Sequence, residues 1–444
     1  MSSIAPELFT DLLRQARGGA ASPLTPAERS SLEAEHMHLQ AMVAAGVQVY
    51  GTSTNVGHRD GVAASSAETL WQDIVVSHAI GEAPWCPDET ARLITAAKLS
   101  SWRAGGSGVS LALFDHVAAL TADPGFRPQV PQSSSYSSGD VIPATHWARA
   151  VLQGTAASGA FAGPPEPMPL INGAFVHLGQ ALALLQPLRA AWVAFFANSA
   201  SLVRYGMRNR SFLLSGIERR AVPAQAALQQ LRSAVPMAYS AVDRQDAVSL
   251  RATDEVFETL LLAIANFGEQ LALALQRPSG NPLIDVRHGM PLSQASFMLP
   301  TLSLAQSGLI EAILFAMWAC VGRLSYVLSG ELPGVPRDGV SAKGALGFIQ
   351  RPKQMMALLE EARLLAGRRS FASGGATSYG IEDLWSQGVP VTRSLAQLIV
   401  QFQSICRIEA TVLAELFGPN VEGTDIQLLS PDATSSDRGF PLVF

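Results

Sequence analysis

The chain has 444 residues, with 31 Lys and Arg against 36 Asp and Glu, a net charge of −5. Charged residues are 15% of it and hydrophobic residues 48%, too apolar for intrinsic disorder and too acidic for a nucleic-acid binder that works by neutralising phosphates. So few charges, against about a quarter in an ordinary soluble domain, imply either a large core or surface buried between subunits.

Taken from the start, Met-Ser-Ser-Ile-Ala-Pro-Glu lacks the basic start and apolar stretch of a secretory signal. The apolar run after Glu311 stops at Arg323, and the run Ala191–Val203 is broken by Asn198 and Ser199. Both fall short of the ~18–20 residues a membrane helix needs, so no membrane association is expected. Cys86, Cys320 and Cys406 are spaced for neither a disulfide framework nor a zinc site. A cytoplasmic location is the expectation.

Residues 1–168 are mixed in texture, with many Ser, Gly and Pro breaks, and are read as a smaller, loop-rich N-terminal part. Residues 169–420 are dominated by Ala/Leu-rich stretches with helical periodicity: Phe175–Leu188, Pro223–Val235, Ala252–Gln276, Leu302–Leu328 and Pro390–Phe417. In Glu255–Leu275 apolar residues fill nearly every face, as in a helix buried within a bundle. No segment shows sustained period-2 alternation. Residues 421–444 read as a polar, irregular tail. The fold class is all-α, with long packed central helices.

Between these helices lie polar clusters with no evident folding purpose: Tyr50–Gly57, Ser133–His146, Asn172–Gly173, Gln245–Arg251, Ser279–Leu283 and Ser378–Gly388. Loops on a rigid scaffold are where binding and catalytic groups concentrate. The sharpest is Ser133-Ser-Ser-Tyr-Ser-Ser-Gly-Asp-Val-Ile-Pro-Ala-Thr-His146, in which Asp140, Pro143 and His146 follow Gly139 at fixed offsets and a helix-like run begins.

This segment resembles the prosthetic-group loop of the histidine and phenylalanine ammonia-lyase family, including its aminomutases. There Ala-Ser-Gly followed by Asp-Leu-x-Pro-x-x-His cyclises to 4-methylidene-imidazol-5-one (MIO). Other segments resemble the family in the same order: Tyr50–Gly57, Leu70–Gly81 with its Ser77-His78, Leu170-Ile-Asn-Gly173, Gln245-Asp-Ala-Val-Ser-Leu-Arg251, Ser279-Gly-Asn-Pro-Leu283, Phe297 and Ile381-Glu-Asp383. The resemblance implies an MIO formed autocatalytically from Ser137, Ser138 and Gly139, with Asp140 assisting cyclisation or orienting the ring, and no external cofactor. Glycine suits the attacking position because a Cβ would obstruct the close approach.

By the same resemblance Tyr50 is the base for the β-proton. A tyrosine with an ordinary pKa near ~10 needs a donor or positive dipole beside it for that role. Arg251 holds the substrate carboxylate in a bidentate fork. Asn172, Gln245 and Asn281 line the site, Phe297 packs on the ring, and Glu382 lies near the substrate amine or side chain. His78 and Glu382 suit a polar, imidazole-like side chain better than a phenyl ring.

Departures from the family pattern are Val248 in place of a tyrosine, Asn55-Val56, Ala252–Glu255, Ser296, Leu384 and a shortened C-terminal part. The expected function is therefore an ammonia-lyase acting on histidine or a similar polar or aromatic amino acid. The alternatives are a 2,3-aminomutase on the same site, or a non-catalytic relative binding an amino acid or a protein partner. The resemblance further implies a homotetramer whose active sites are shared between subunits, which accounts for the missing charges.

Overall fold

The computed structural model describes residues 6–213, 216–235, 245–341, 344–367 and 375–418; the expected tail 421–444 lies outside the described residues. In chain order the α-helices are α1 Pro6–Ala16, α2 Pro26–Ala44, α3 Ala67–His78, α4 Asp88–Arg103, α5 Leu111–Thr121, α6 Val141–Gln153, α7 Pro167–Ile171, α8 Phe175–Leu182, α9 Leu185–Ser201, α10 Val222–Ala234, α11 Val248–Arg251, α12 Thr253–Leu275, α13 Pro300–Val327, α14 Arg351–Ala366 and α15 Gly388–Phe417. The fold is all-α. Its one sheet among the described residues is a hairpin, β1 Leu283–Asp285 against β2 Met290–Leu292, pairing Leu283 with Leu292 and Asp285 with Met290.

The long helices start and stop within two residues of the periodic stretches, except that Phe175–Leu188 divides between α8 and α9. The N-terminal part holds α1 to α6, separated by long connections such as residues 45–56 and 122–140. Local chemistry starts these helices: the Thr25 side chain and Glu28 form a reciprocal capping box on α2, and Ser66 and Ser110 cap α3 and α5.

The long helices position the site. Helix α13, 28 residues and so about 42 Å long, packs against α12 and α15; α15 also packs on α9, and α8 crosses α4. One hydrophobic core runs from Phe9 to Leu413 and crosses residue 168 without a break. At its centre the rings of Trp192 and Phe257 lie 5.0 Å apart and those of Phe195 and Phe402 5.5 Å apart. Beside them Arg323 of α13 and Glu409 of α15 form a buried ion pair at 2.5 Å. Cys86, Cys320 and Cys406 are free and buried.

The reading that no stretch is long and apolar enough to span a membrane needs correction. Three helical stretches, Pro167–Gly206, Thr253–Leu275 and Ser296–Val327, meet the length and composition. Their most apolar windows are 89%, 50% and 61% buried within this fold, so most of that surface is covered by protein. The remainder leaves Leu304, Phe315 and Trp318 of α13 and Leu262 and Leu273 of α12 exposed.

Candidate active site

The Ser133–His146 segment closes into a tight turn just before α6. Ser134, Ser137, Gly139 and Asp140 all have positive φ, of 70°, 66°, 91° and 51°. The hydroxyl of Ser135 ties the turn together, accepting from the Ser137 amide at 2.9 Å and donating to Oδ1 of Asp140 at 2.5 Å. Asp140 Oδ2 accepts from the His177 amide of α8 at 3.1 Å. At the start of α15, the amide of its N-cap Gln387 donates to the Tyr136 carbonyl at 3.0 Å and the Val389 amide to Oγ of Ser137 at 2.9 Å. The free amides of two helix N-termini thus find their acceptors in this turn.

A Cβ on Gly139 would meet its nearest neighbours, Val141 Cγ1 and Phe297 Cδ2, at an ordinary 3.8 and 3.9 Å. Its φ of 91° by itself disfavours any other residue there. At Gly388 space decides: a Cβ would lie 2.3 Å from Cε1 of the buried His177 ring. Burial pushes the Asp140 carboxyl up to about 6, against the pull of Ser135 and the His177 amide. It holds the His177 imidazole down to about 4, with Nε2 3.0 Å from Oε1 of Gln306.

Phe297, in the turn leading to α13, places its Cδ2 3.9 Å from where a Cβ on Gly139 would stand. Asn172 ends α7, and its Oδ1 accepts from the Asn281 amide at 2.9 Å; Asn281 Oδ1 accepts in turn from the Gln294 amide at 2.9 Å. Both asparagines therefore brace the loops around the turn. Beneath them Lys98 of α4, buried, donates from Nζ to the Asn172 carbonyl at 2.7 Å and lies 4.2 Å from the Phe175 ring centroid. Burial holds this amine well below the usual lysine range.

A second group gathers Tyr50, His78, Tyr136 and Glu382. The Gly57 amide donates to the Tyr50 hydroxyl at 2.8 Å, the donor that its role requires. The net effect is nevertheless upward: burial raises the phenol, and the negative charges of Glu382 and Asp60 add to it, against the Gly57 amide alone. His78, at the end of α3, contacts Oγ of Ser77 through Nδ1 at 2.7 Å, and burial lowers its pKa against the opposing charge of Glu382. The Tyr136 hydroxyl donates to Oε2 of Glu382 at 2.5 Å, and Thr377 Oγ1 donates to the same oxygen at 3.0 Å. The rings of His58 and Tyr379, 4.7 Å apart, join the Tyr50 loop to the Glu382 loop.

Gln245 and Arg251 do not join either group. Both are exposed, and Arg251 is tied into α11 through its backbone amide, which donates to the Ala247 carbonyl at 3.1 Å. Ser249 of α11 packs against Gly322, where a Cβ would lie 3.1 Å from its own Cβ. Gly322 lies 22 residues along α13 from Pro300, about 33 Å from the end that carries Phe297. His146, part of the recognisable motif, accepts the Gly81 amide on Nε2 at 3.0 Å and stays outside the site.

Tyr136, Thr377, Lys98 and His177 are site components that sequence reasoning did not reach. Only Tyr136 carried a signal, as the one aromatic within a Ser/Gly run immediately before the tripeptide.

The profile of the aromatic amino acid lyases matches residues 9–418. The chain belongs to the aromatic amino acid lyase family. Its relatives include histidine ammonia-lyases: that of Burkholderia pseudomallei is 28% identical over 469 residues, covering 98% of this chain and 90% of the relative. That of Vibrio cholerae is 26% identical over 438 residues, covering 91% and 85%. Among solved structures, ergothionase from Treponema denticola superposes with a TM-score of 0.83 at 19% identity, covering 95% of this chain and 90% of that one. Phenylalanine aminomutase from Pantoea agglomerans gives 0.80 at 16% identity, covering 94% and 89%. By family this chain is a carbon–nitrogen lyase.

Proposed function

We propose that the protein is an ammonia-lyase that removes ammonia from histidine or an α-amino acid with a similarly polar or aromatic side chain. The observation that carries this reading is the buried Ser137–Asp140 turn, braced by two helix N-termini and edged by Phe297. The turn fits conversion to MIO. Its positive φ angles fold the backbone back on itself, Gly139 has room around its Cα, and Asp140 is a carboxyl that takes up or releases a proton near neutral pH. When present, MIO supplies the electrophile that turns the substrate amine into a competent leaving group.

The side chains supply the rest. Tyr50, ionised to the phenolate and stabilised in that form by the Gly57 amide, takes the β-proton as the carbon–nitrogen bond breaks and a double bond forms, and so becomes the neutral phenol. Glu382 works against that ionisation until a cation or donor neutralises it. Arg251 and Gln245, beside the far half of α13 from Phe297 in the same chain, reach a substrate from another copy. The exposed Leu304, Phe315 and Trp318 of α13 offer the apolar surface for such an assembly, which we take to be a homotetramer with shared sites. Free, buried cysteines suit a reducing cytoplasm.

The test is the mass of the peptide spanning Ser137–Gly139, together with ammonia release from L-histidine and a panel of amino acids. A peptide two waters lighter and release of ammonia support the reading. An unmodified tripeptide, or no turnover on any amino acid, overturns it; a β-amino acid product makes the enzyme a 2,3-aminomutase instead.

A further inference from the structure

Helix α4 turns one face toward the short segment that carries Asn172. Lys98, Ser101 and Trp102, spaced as i, i+3 and i+4, lie along one stripe of it. Lys98 donates from Nζ to the Asn172 carbonyl at 2.7 Å, and Nε1 of Trp102 donates to the Pro169 carbonyl at 3.2 Å. The hydroxyl of Ser101 is 3.0 Å from that of Ser279, which accepts from the Ala174 amide at 3.3 Å. Helix α7 has only five residues and ends at Asn172, so its last carbonyls have no continuing helix to bond them. Side chains of α4 take that place.

Lys98 is the costliest member of the stripe. It is 2% exposed, and its Nζ lies 4.2 Å from the Phe175 ring centroid and 5.4 Å from that of Trp102. An amine in such surroundings loses hydration that a methionine on the same stem would not need, and the bond to Asn172 offsets that loss. From Asn172 the contacts run on toward the turn. Its Oδ1 accepts from the Asn281 amide at 2.9 Å, which leaves the Nδ2 end, a donor, for a ligand. A donor meets a carboxylate and not an ammonium group. Gly173 keeps the segment close: its φ is 113°, and a Cβ there would lie 2.9 Å from Oγ of Ser279.

We propose that Lys98 is a positioning residue: its hydrogen bond to the Asn172 carbonyl fixes the backbone from which Asn172 presents Nδ2 to the carboxylate of a bound amino acid. The proposal rests on the lyase reading only for the identity of that ligand. Carbonyl and side chain belong to one residue, so a peptide free to swing carries Nδ2 with it. A displacement that lengthens an N–H···O contact from about 2.9 Å to beyond about 3.5 Å forfeits it.

A double-mutant cycle tests this by binding rather than turnover, with wild type, Lys98→Met, Asn172→Ala and the double variant. The probe is whichever of 3-(imidazol-4-yl)propionate, 3-phenylpropionate and 3-(4-hydroxyphenyl)propionate binds wild type most tightly in calorimetric titration of the assembled protein. Lys98→Met should weaken binding about ten-fold, the scale of a hydrogen bond to a charged group, and Asn172→Ala by a similar factor. The double variant should bind within about two-fold of Asn172→Ala, because Lys98 acts through a side chain already removed. Lys98→Gln, which keeps an N–H donor on a shorter stem, should fall between Lys98→Met and wild type. A Lys98 that only held the fold together would lower the melting temperature and weaken binding by the same factor with and without the Asn172 side chain. That additivity, an unchanged affinity in Lys98→Met, or no binding of any probe to wild type overturns the proposal. Coupling as stated with no ammonia released from any amino acid leaves the positioning intact and sinks the lyase reading; ammonia release with additive losses does the reverse.

Discussion

The Val389 amide, in the first turn of α15, donates to Oγ of Ser137 at 2.9 Å. Ser137 is thus more than a carbonyl waiting to be attacked: its hydroxyl completes the N-terminus of the longest helix. Ser137→Ala should leave a buried N–H without an acceptor and lower stability by about 1–3 kcal/mol. Ring formation should survive, since it uses only the carbonyl of that residue. Ser138→Ala should keep the stability and lose the ring. Thermal unfolding and the mass of the loop peptide read the two effects separately, and a Ser137→Ala protein lacking the two-water loss would contradict this division.

Asp140 makes stability depend on pH in a stated direction. Its carboxyl is raised from 3.8 to about 6 by burial. Between those values the folded protein retains a proton that the unfolded chain has released. Stability from this group is therefore present at low pH, falls as pH rises from about 4 to about 6, and levels off above, a loss on the order of 3 kcal/mol. Asp140→Asn removes the titration. The melting temperature of D140N relative to wild type should climb across that window and flatten above it; a difference constant with pH would remove Asp140 as the cause.

Arg251 and the Ser137–Gly139 turn lie at opposite ends of α13. If a second copy supplies Arg251, Ser138→Ala and Arg251→Ala are each inactive alone and complementary when mixed. Equal co-assembly should restore about a quarter of wild-type sites, those that draw an intact residue from each parent. Activity of the mixture no higher than that of its parents would show that the sites are not shared.

Arg323 and Glu409 form a bidentate buried pair at 2.6 and 2.5 Å, with Ser199 and Asn198 satisfying further groups at 2.8 and 3.0 Å. Removing one partner strands a buried charge. Arg323→Met should cost about 3–5 kcal/mol, and Arg323→Met with Glu409→Leu should recover most of it. Urea midpoints at one fixed protein concentration measure both. A double variant as unstable as the single would mean the pair itself, rather than the stranded charge, sustains the fold.

The long helices were legible because their apolar residues recur at the helical period over many turns: Ala252–Gln276 was expected and Thr253–Leu275 is observed. Helix α4 was not, although ten of its residues are buried. Its Thr, Lys and Ser side chains look solvated in sequence and are satisfied internally instead, as Thr95 is by the Ala91 carbonyl and Lys98 by that of Asn172. The hairpin at Leu283–Leu292 is too short to show a period of two. Tyr136 was hidden because a Ser/Gly run reads as loop, and nothing in its neighbours points across 246 positions to Glu382.

The order and identity of the segments determined the all-α class, the family and the tripeptide, because those depend on residue type and spacing along the chain. Distance did not follow from order. Only the packed helices decided that Phe297 meets Gly139 while Arg251, nearer to Phe297 in sequence than Gly139 is, sits a helix length away. They also decided that Tyr50 carries the field of Glu382. A straight helix separates its ends as firmly as a turn joins them, and burial sets the charge of what it encloses, so both facts exist only once the core has closed.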